Sequence, residues 1–249
     1  PNYVQLASTA SSLMYYVEQQ TFFSTSTFDT SYNVSYTLYD FSQQTLESAK
    51  TVLDGRYLGV PTGLSEKLEP LAANITKNAN SPYEKLLAIQ SYLKENYWYD
   101  TYYPRAPAGT DPVGWFLFNS KRGVCTHFNS AFVLLARSIG IPARLCRGYL
   151  VDPAAYNQTV NSMQSHAYAE VLFDQLGWIT FDATGSKAFI HPSVIIEYPT
   201  EGSHVSDSTV YVNGTVDGSD LDDMRPYISD SRFVLADWDS STGEFSFVN

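Results

Sequence analysis

Between Gly123 and Pro142 the chain reads Gly-Val-Cys125-Thr-His-Phe-Asn-Ser-Ala-Phe-Val-Leu-Leu-Ala-Arg-Ser-Ile-Gly140-Ile-Pro142, and this stretch restricts the fold more than any other. Phe128, Ala131, Phe132, Leu135, Ala136 and Ile139 recur at intervals of three and four residues, the period of one helix face. A helix with such a stripe must bury it against a second layer. Gly140 is placed to end the helix in the left-handed region, and Pro142 prevents its resumption. Cys125 therefore falls in the first turn.

The second layer is legible downstream. In His166-Ala-Tyr-Ala-Glu-Val-Leu-Phe173, Ala167, Ala169, Val171 and Phe173 alternate with His166, Tyr168, Glu170 and Leu172, which predicts a strand with one buried face. Asp174 to Gly177 reads as a turn. Trp178-Ile-Thr-Phe-Asp182 follows as a second strand, with Trp178, Thr180 and Asp182 on one face. Pairing Glu170 with Trp178 and Tyr168 with Thr180 would set His166 opposite Asp182. A carboxylate there would bond one imidazole nitrogen and fix the tautomer.

A cysteine in the first turn of a helix has a chemical consequence. Unsatisfied amides and the positive end of the helix dipole favour thiolate over thiol, whose free pKa is roughly 8.5, and the same amides can hold an oxyanion. A lone cysteine is more often a buried structural residue. Here the His and Asp on neighbouring strands favour a nucleophile. Cys146, between Leu145 and Arg147 in an expected strand, reads as a small buried residue, and a disulfide to Cys125 would abolish the nucleophile.

Charge narrows the partners. The 249 residues carry a net charge of -11, and the longest Lys/Arg cluster is the dipeptide Lys121-Arg122, so the chain lacks the footprint of a nucleic-acid binder. Apolar runs fall well short of the roughly 18 residues that would cross a membrane. Charged residues make up only 16%, with Ser, Thr, Tyr and Asn supplying the polar surface. Asn33, Asn74, Asn157 and Asn213 each open an Asn-x-Ser/Thr triplet. These features, and a chain that opens on Pro1, lead us to expect an extracellular or cell-surface ectodomain whose membrane anchor lies outside this stretch.

Three regions are expected. Residues 1–54 form a β or extended extension with a short helix from Thr45 to Leu53, ended by Asp54-Gly55. Residues 55–192 form the core, with one helix following Leu64, Leu68, Leu71, Ala72 and Ile75 and Ser65 as its candidate cap. A second helix starts at Ser81-Pro82-Tyr83-Glu84, which supplies a cap, a proline at the first helical position and an early acid. Pro104 to Pro112 reads as a loop. Residues 193–249 form a loop-rich antiparallel extension with strand-like pieces at 209–212 and 232–235.

These motifs together, Gly-x-Cys125 at a helix start, Arg137-Ser-Ile-Gly-Ile-Pro-Ala-Arg144, Gly148-Tyr149, His166-Ala-Tyr-Ala-Glu170 and Gly177-Trp-Ile-Thr-Phe-Asp182, resemble the transglutaminase-like superfamily in content and order. Tyr57-Leu-Gly-Val-Pro61 and Pro82-Tyr-Glu-Lys85 resemble its bacterial and archaeal cell-surface branch. Tyr168 stands where the family often has Trp, and Ala183-Thr184 where it often has Pro-Thr. The resemblance implies an α+β, papain-like fold with the nucleophile helix packed on an antiparallel β-sheet. It also implies a cysteine protease, amidase or acyltransferase with the catalytic triad Cys125, His166 and Asp182. A thioester on Cys125 would be resolved by water or by an amine.

Trp115, Tyr99 and His127 are the candidate substrate-binding residues, and Trp98 is a further candidate oxyanion donor. His127, turned roughly 200° from Cys125 around the helix, also reads as structural. Asp217 to Asp223 gathers carboxylates without the Glu that closes a calcium loop, and His191 and His204 have no Cys/His cluster beside them. No cofactor or metal is expected. The expected partner is a protein or peptide substrate. The competing reading is a non-catalytic surface module that binds a peptide or polymer in a papain-like cleft.

Overall fold

The computed structural model describes residues 40–152, 158–189, 191, 193–200, 209–218 and 233–248 in full, and the backbone of four strands within residues 2–37. The chain divides into two compact units, residues 1–97 with 101–185, and residues 98–100 with 186–249.

The first unit opens with β1 (Asn2–Ser8), β2 (Leu13–Tyr16), β3 (Thr21–Ser24) and β4 (Tyr32–Thr37), in which β1 pairs with β4 and β2 with β3, both antiparallel. Helix α1 (Gln43–Ser48) starts two residues before the expected Thr45, because the Ser42 hydroxyl accepts from the Thr45 amide. It also stops well short of Leu53. Residues 50–52 instead run beside the hairpin, with the Val52 amide donating to Leu172 O and the Asp174 amide to Lys50 O.

Helix α2 (Ser65–Thr76) begins one residue earlier than a Ser65 cap would allow. Leu64 occupies the cap position without a side-chain bond, held by its own amide donating to Pro61 O. Helix α3 (Pro82–Asn96) starts as its sequence demands: Ser81 Oγ accepts from the Glu84 amide at 3.2 Å, and Glu84 Oε2 accepts from the Ser81 amide at 3.0 Å. A short helix α4 (Pro112–Trp115), capped by Asp111, leads into a single wide turn at Phe116–Ser120. The loop expected over Pro104 to Pro112 thus runs into a helix at its last residue, and Asp111-Pro112 is the cap-and-proline start that marks it.

Helix α5 (Cys125–Ser138) ends as expected. Gly140 has φ 79°, its amide donates to Arg137 O, and the Ile141 amide donates to Ala136 O, which closes the helix with a Schellman motif. The Phe128, Ala131, Phe132, Leu135 and Ala136 stripe is fully buried. It lies on an antiparallel sheet formed, after the short strands β5 (Trp98–Tyr99) and β6 (Arg122–Gly123), by β7 (Ala143–Tyr149), β8 (Ser165–Phe173) and β9 (Gly177–Phe181) in the order β7-β8-β9. Ala167, Ala169, Val171 and Phe173 are buried and alternate along β8 as predicted. The fold is α+β, with helix α5 packed on an antiparallel sheet.

One register differs from expectation. Glu170 pairs with Thr180 and Phe173 with Gly177, two residues along from the pairing drawn from sequence. That tighter pairing would leave one residue for the turn, whereas the chain uses Asp174, Gln175 and Leu176, with Gln175 at φ 60° and Gly177 at φ 76°. A shift by two keeps every side chain on its face.

The second unit holds an antiparallel sheet of β10 (Ser193–Tyr198), β11 (Tyr211–Asp217), β12 (Val234–Asp239) and β13 (Glu244–Val248), ordered β10-β11-β13-β12, over a small core of Val216, Phe245 and Phe247. Among the described residues, no helix is long and apolar enough to cross a membrane. Asn157, His204 and residues 219–223 lie outside the described residues, as do the side chains of Asn33 and its neighbours.

Phe132 is fully buried and its ring stacks on Phe181 at 5.5 Å, joining α5 to the end of β9. Truncating Phe132 to Ala should lower stability by about 3–5 kcal/mol, measured by urea unfolding of the whole chain.

Candidate functional site

Cys125 is the first residue of α5, half-buried and unpaired with Cys146. Its helix starts without a side-chain cap, because Val124 has nothing to offer. Instead His127 reaches back, and its Nδ1 accepts from the Val124 amide at 3.3 Å. Helix geometry leaves the Cys125 and Thr126 amides with no acceptor within the helix.

The His127 ring packs against Tyr103 at 4.3 Å and Phe116 at 5.7 Å. Burial pushes it toward the neutral form, which an accepting Nδ1 requires. A Cβ at Gly123 would meet the ring at 2.7 Å, so this glycine is what lets the imidazole fold over the helix start.

His166 and Asp182, placed on separate strands by the sequence, meet at 2.7 Å from Nε2 to Oδ2. The two-residue slip moves Asp182 past the end of β9, so the pair closes there rather than directly across the ladder. The His166 side chain is 13% exposed and that of Asp182 42%. Burial raises the Asp182 pKa, but hydrogen bonds from the Thr184 hydroxyl and amide, His166 and Asn129 outweigh it and hold the carboxyl below its usual range.

Asn129 is the residue that sequence reasoning missed. It is fully buried. Its Nδ2 lies 2.8 Å from Ala167 O, 3.0 Å from Thr184 Oγ1, 3.1 Å from Asp182 Oδ1 and 3.2 Å from Cys125 O, while its Oδ1 accepts from the Ala183 amide at 3.0 Å. One side chain thus contacts the first turn of α5, the start of β8 and the segment after β9. The available signal was its position: an Asn one turn after Cys125, beside the apolar stripe, where an amide is costly unless it is bonded.

Farther along the same sheet face lies a separate cluster. Arg144 donates to Glu170 Oε2, with Nη2 at 2.6 Å, and its guanidinium lies 3.9 Å from the centre of the Trp178 ring, which Tyr57 meets edge-on. Cys146 Sγ donates to the same Glu170 oxygen at 3.2 Å. Burial, then the Glu170 charge, pushes the Cys146 thiol up to about 12. Cys146 is thereby a protonated structural thiol.

Trp115 lines a cavity of about 300 Å³ with Thr62, Leu64, Lys67, Thr110 and Phe118, and Cys125, His166 and Asp182 are not among its walls. The Trp115 indole N–H is buried without a hydrogen-bond partner. Tyr99 belongs to the second unit, where its strand bridges Ala188 and neighbours the Trp98 ring packed on Phe189. His191 Nε2 lies 2.9 Å from Asp100 Oδ1 in that unit.

Residues 69–183 match the model of the transglutaminase-like superfamily. This stretch is thus similar to the transglutaminase-like superfamily. Among curated proteins, the uncharacterized protein YebA of Bacillus subtilis is 34% identical over 167 residues, 63% of this chain and 22% of that protein. The protein-glutamine gamma-glutamyltransferase of Pseudomonas aeruginosa is 31% identical over 133 residues, 52% of this chain and 20% of that protein. The chain therefore spans about a fifth of the length of these relatives. Among solved structures, the periplasmic domain of TgpA from Pseudomonas aeruginosa matches with a TM-score of 0.45 and 28% identity, over 51% of this chain and 45% of that one. Members of this family are generally cysteine enzymes, and the matched span contains Cys125, Asn129, His166 and Asp182.

The Asp182 carboxyl sets a pH dependence for the domain. Because its folded pKa lies below the unfolded value of about 3.9, its contribution to stability is present above that value and is lost as pH falls through the folded pKa. Acid unfolding midpoints should show a shallower pH dependence in Asp182→Asn than in the wild type, with the difference confined to the region below about pH 4.

Proposed function

We propose that this domain is a cysteine-dependent acyl-transfer enzyme acting on protein or peptide amide bonds. Cys125 is the nucleophile, His166 the general acid and base, and Asp182 the group that orients the imidazole. The observation that carries the reading is the 2.7 Å contact between His166 Nε2 and Asp182 Oδ2, tied through the Asn129 amide to the turn that Cys125 opens.

With Nε2 held by the carboxylate, Nδ1 is the nitrogen that exchanges protons. It takes the proton of the Cys125 thiol, and the sulfur attacks the amide carbonyl carbon. The oxyanion that forms is held by the Cys125 amide at the positive end of α5. Collapse breaks the carbon–nitrogen bond, and the amine leaves with the proton from the imidazolium. A thioester remains on Cys125. Water or a primary amine then adds to the thioester carbonyl and gives up a proton to His166. The carbon–sulfur bond breaks, and the thiolate is restored.

Hydrolysis and crosslinking share this intermediate and differ only in the acceptor. The name of the Pseudomonas aeruginosa relative, a glutamine gamma-glutamyltransferase, supports an amine acceptor. We place the domain outside the cytoplasm, a reading supported by its low charge content and its Asn-x-Ser/Thr triplets.

Alkylation by iodoacetamide against pH, read by mass spectrometry, tests the assignment and has its reference inside the chain. Cys125 should be alkylated faster than an ordinary exposed thiol, while Cys146 stays unmodified in the folded protein. His166→Ala should slow Cys125 about tenfold or more. A Cys125 that alkylates no faster than an ordinary thiol, at a rate indifferent to His166, would favour a binding cleft without turnover. Where the enzyme reading holds, the masses of peptide products with and without added primary amine separate transfer from hydrolysis.

A further inference from the structure

We infer that Asn129 is a positioning residue of this site, acting through Asp182 on His166 and keying both to the helix that begins at Cys125; the inference rests on the enzyme reading above. The amide orientation is fixed by its surroundings. Oδ1 accepts from the Ala183 amide, and Nδ2 faces four oxygens within 3.2 Å, so the flipped amide would set N–H against N–H and oxygen against four oxygens. Two protons serve four acceptors, and each is therefore shared.

The division of labour at Asp182 follows. Oδ2 carries the imidazole and Oδ1 carries Asn129 and the Thr184 amide. A carboxylate bonded through one oxygen can rotate about its terminal torsion, which is broad. Bonded on both, it holds a single plane, and the imidazole plane follows it. The same Nδ2 contacts Cys125 O and Ala167 O. Ala167 follows His166 directly, so both partners in proton transfer are referenced to one buried, rigid group.

The charge of this group also matters. A neutral amide donates to Asp182 and favours its ionised form. A carboxylate in the same place would face Asp182 Oδ1 at close to the present 3.1 Å, and the pair would be forced to share a proton. Asn129→Asp is thus nearly isosteric and electrostatically opposite.

The experiment compares Cys125 alkylation rates across pH, on the full chain, for the wild type, Asn129→Ala, Asn129→Asp, His166→Ala and the double variant Asn129→Ala/His166→Ala. Asn129→Ala should slow alkylation near neutral pH about tenfold, the scale of losing a hydrogen bond to a charged group, and the double variant should match His166→Ala within about twofold. Asn129→Asp should move the acid limb of the profile to higher pH. A wild-type rate in Asn129→Ala, or an equal loss with His166 already removed, overturns the role and shows Asn129 to be structural only. If His166→Ala itself changes nothing, the enzyme reading fails instead.

Should Asn129→Ala not fold cooperatively, the native protein still decides. In the wild type the Asn129 side-chain amide resonances should resist solvent exchange and move with the titration of Asp182, and resonances that do neither overturn the inference.

Discussion

Residues 181–185 lie along the first turns of α5, and the geometry of the site follows from that contact. Phe181 stacks on Phe132, Ala183 donates to Asn129, and a Cβ at Gly185 would come within 3.2 Å of the Phe128 ring. Phe132, Asn129, Phe128 and Cys125 lie seven, four, three and zero residues along the helix, so the segment runs antiparallel to α5 and ends near its N-terminus. Apolar packing at Phe132 sets the approach, and the Asn129 amide sets the register. The carboxylate is carried by a chain segment that has few ways to move without breaking one or the other.

Environment separates groups that composition makes equivalent. Asp182 is drawn below its usual range by donors, whereas Glu170 is buried with Arg144 as its counterion. They stand on one sheet face, and β8 itself spaces Glu170 four residues from His166, about 13 Å along the strand. Glu170 is neutralised locally by a guanidinium that also stacks on Trp178. The field at His166 is therefore set by Asp182. The thiols divide in the same way: Cys125 has a helix start, and Cys146 has a carboxylate that keeps its proton in place.

What could be read from the sequence is whatever depends on period and parity. The apolar stripe of α5, the alternation of β8 and the Gly140 stop are local rules, and the structure follows them. The hairpin register is not local in that sense: the turn took three residues, the pairing slid by two, and His166 still met Asp182 because an even shift keeps the face. Asn129 escaped because four of its five partners are more than 35 residues away in the chain and most of the five are backbone groups, which leave no trace in residue identity. Helix α4 escaped for the opposite reason, since its Asp111-Pro112 signal is present but was masked by the surrounding loop-forming residues.

His127 shows how a residue can carry chemistry-bearing atoms and still be committed elsewhere. Two residues after Cys125, it spends Nδ1 on the Val124 amide, the bond that an N-cap side chain would ordinarily make, because the cap position is a valine. Replacing Val124 by a hydroxyl residue would relieve His127 of that duty, but the ring would still be wedged over Gly123 and against Tyr103. The apolar cap thus has a purpose within this arrangement: it leaves the amide for the imidazole, and the imidazole in turn closes the helix start beside the thiol. With His127 neutral and engaged on a backbone amide while His166 meets the Asp182 carboxylate, the asymmetry between these two rings is what supports the acid–base role proposed for His166.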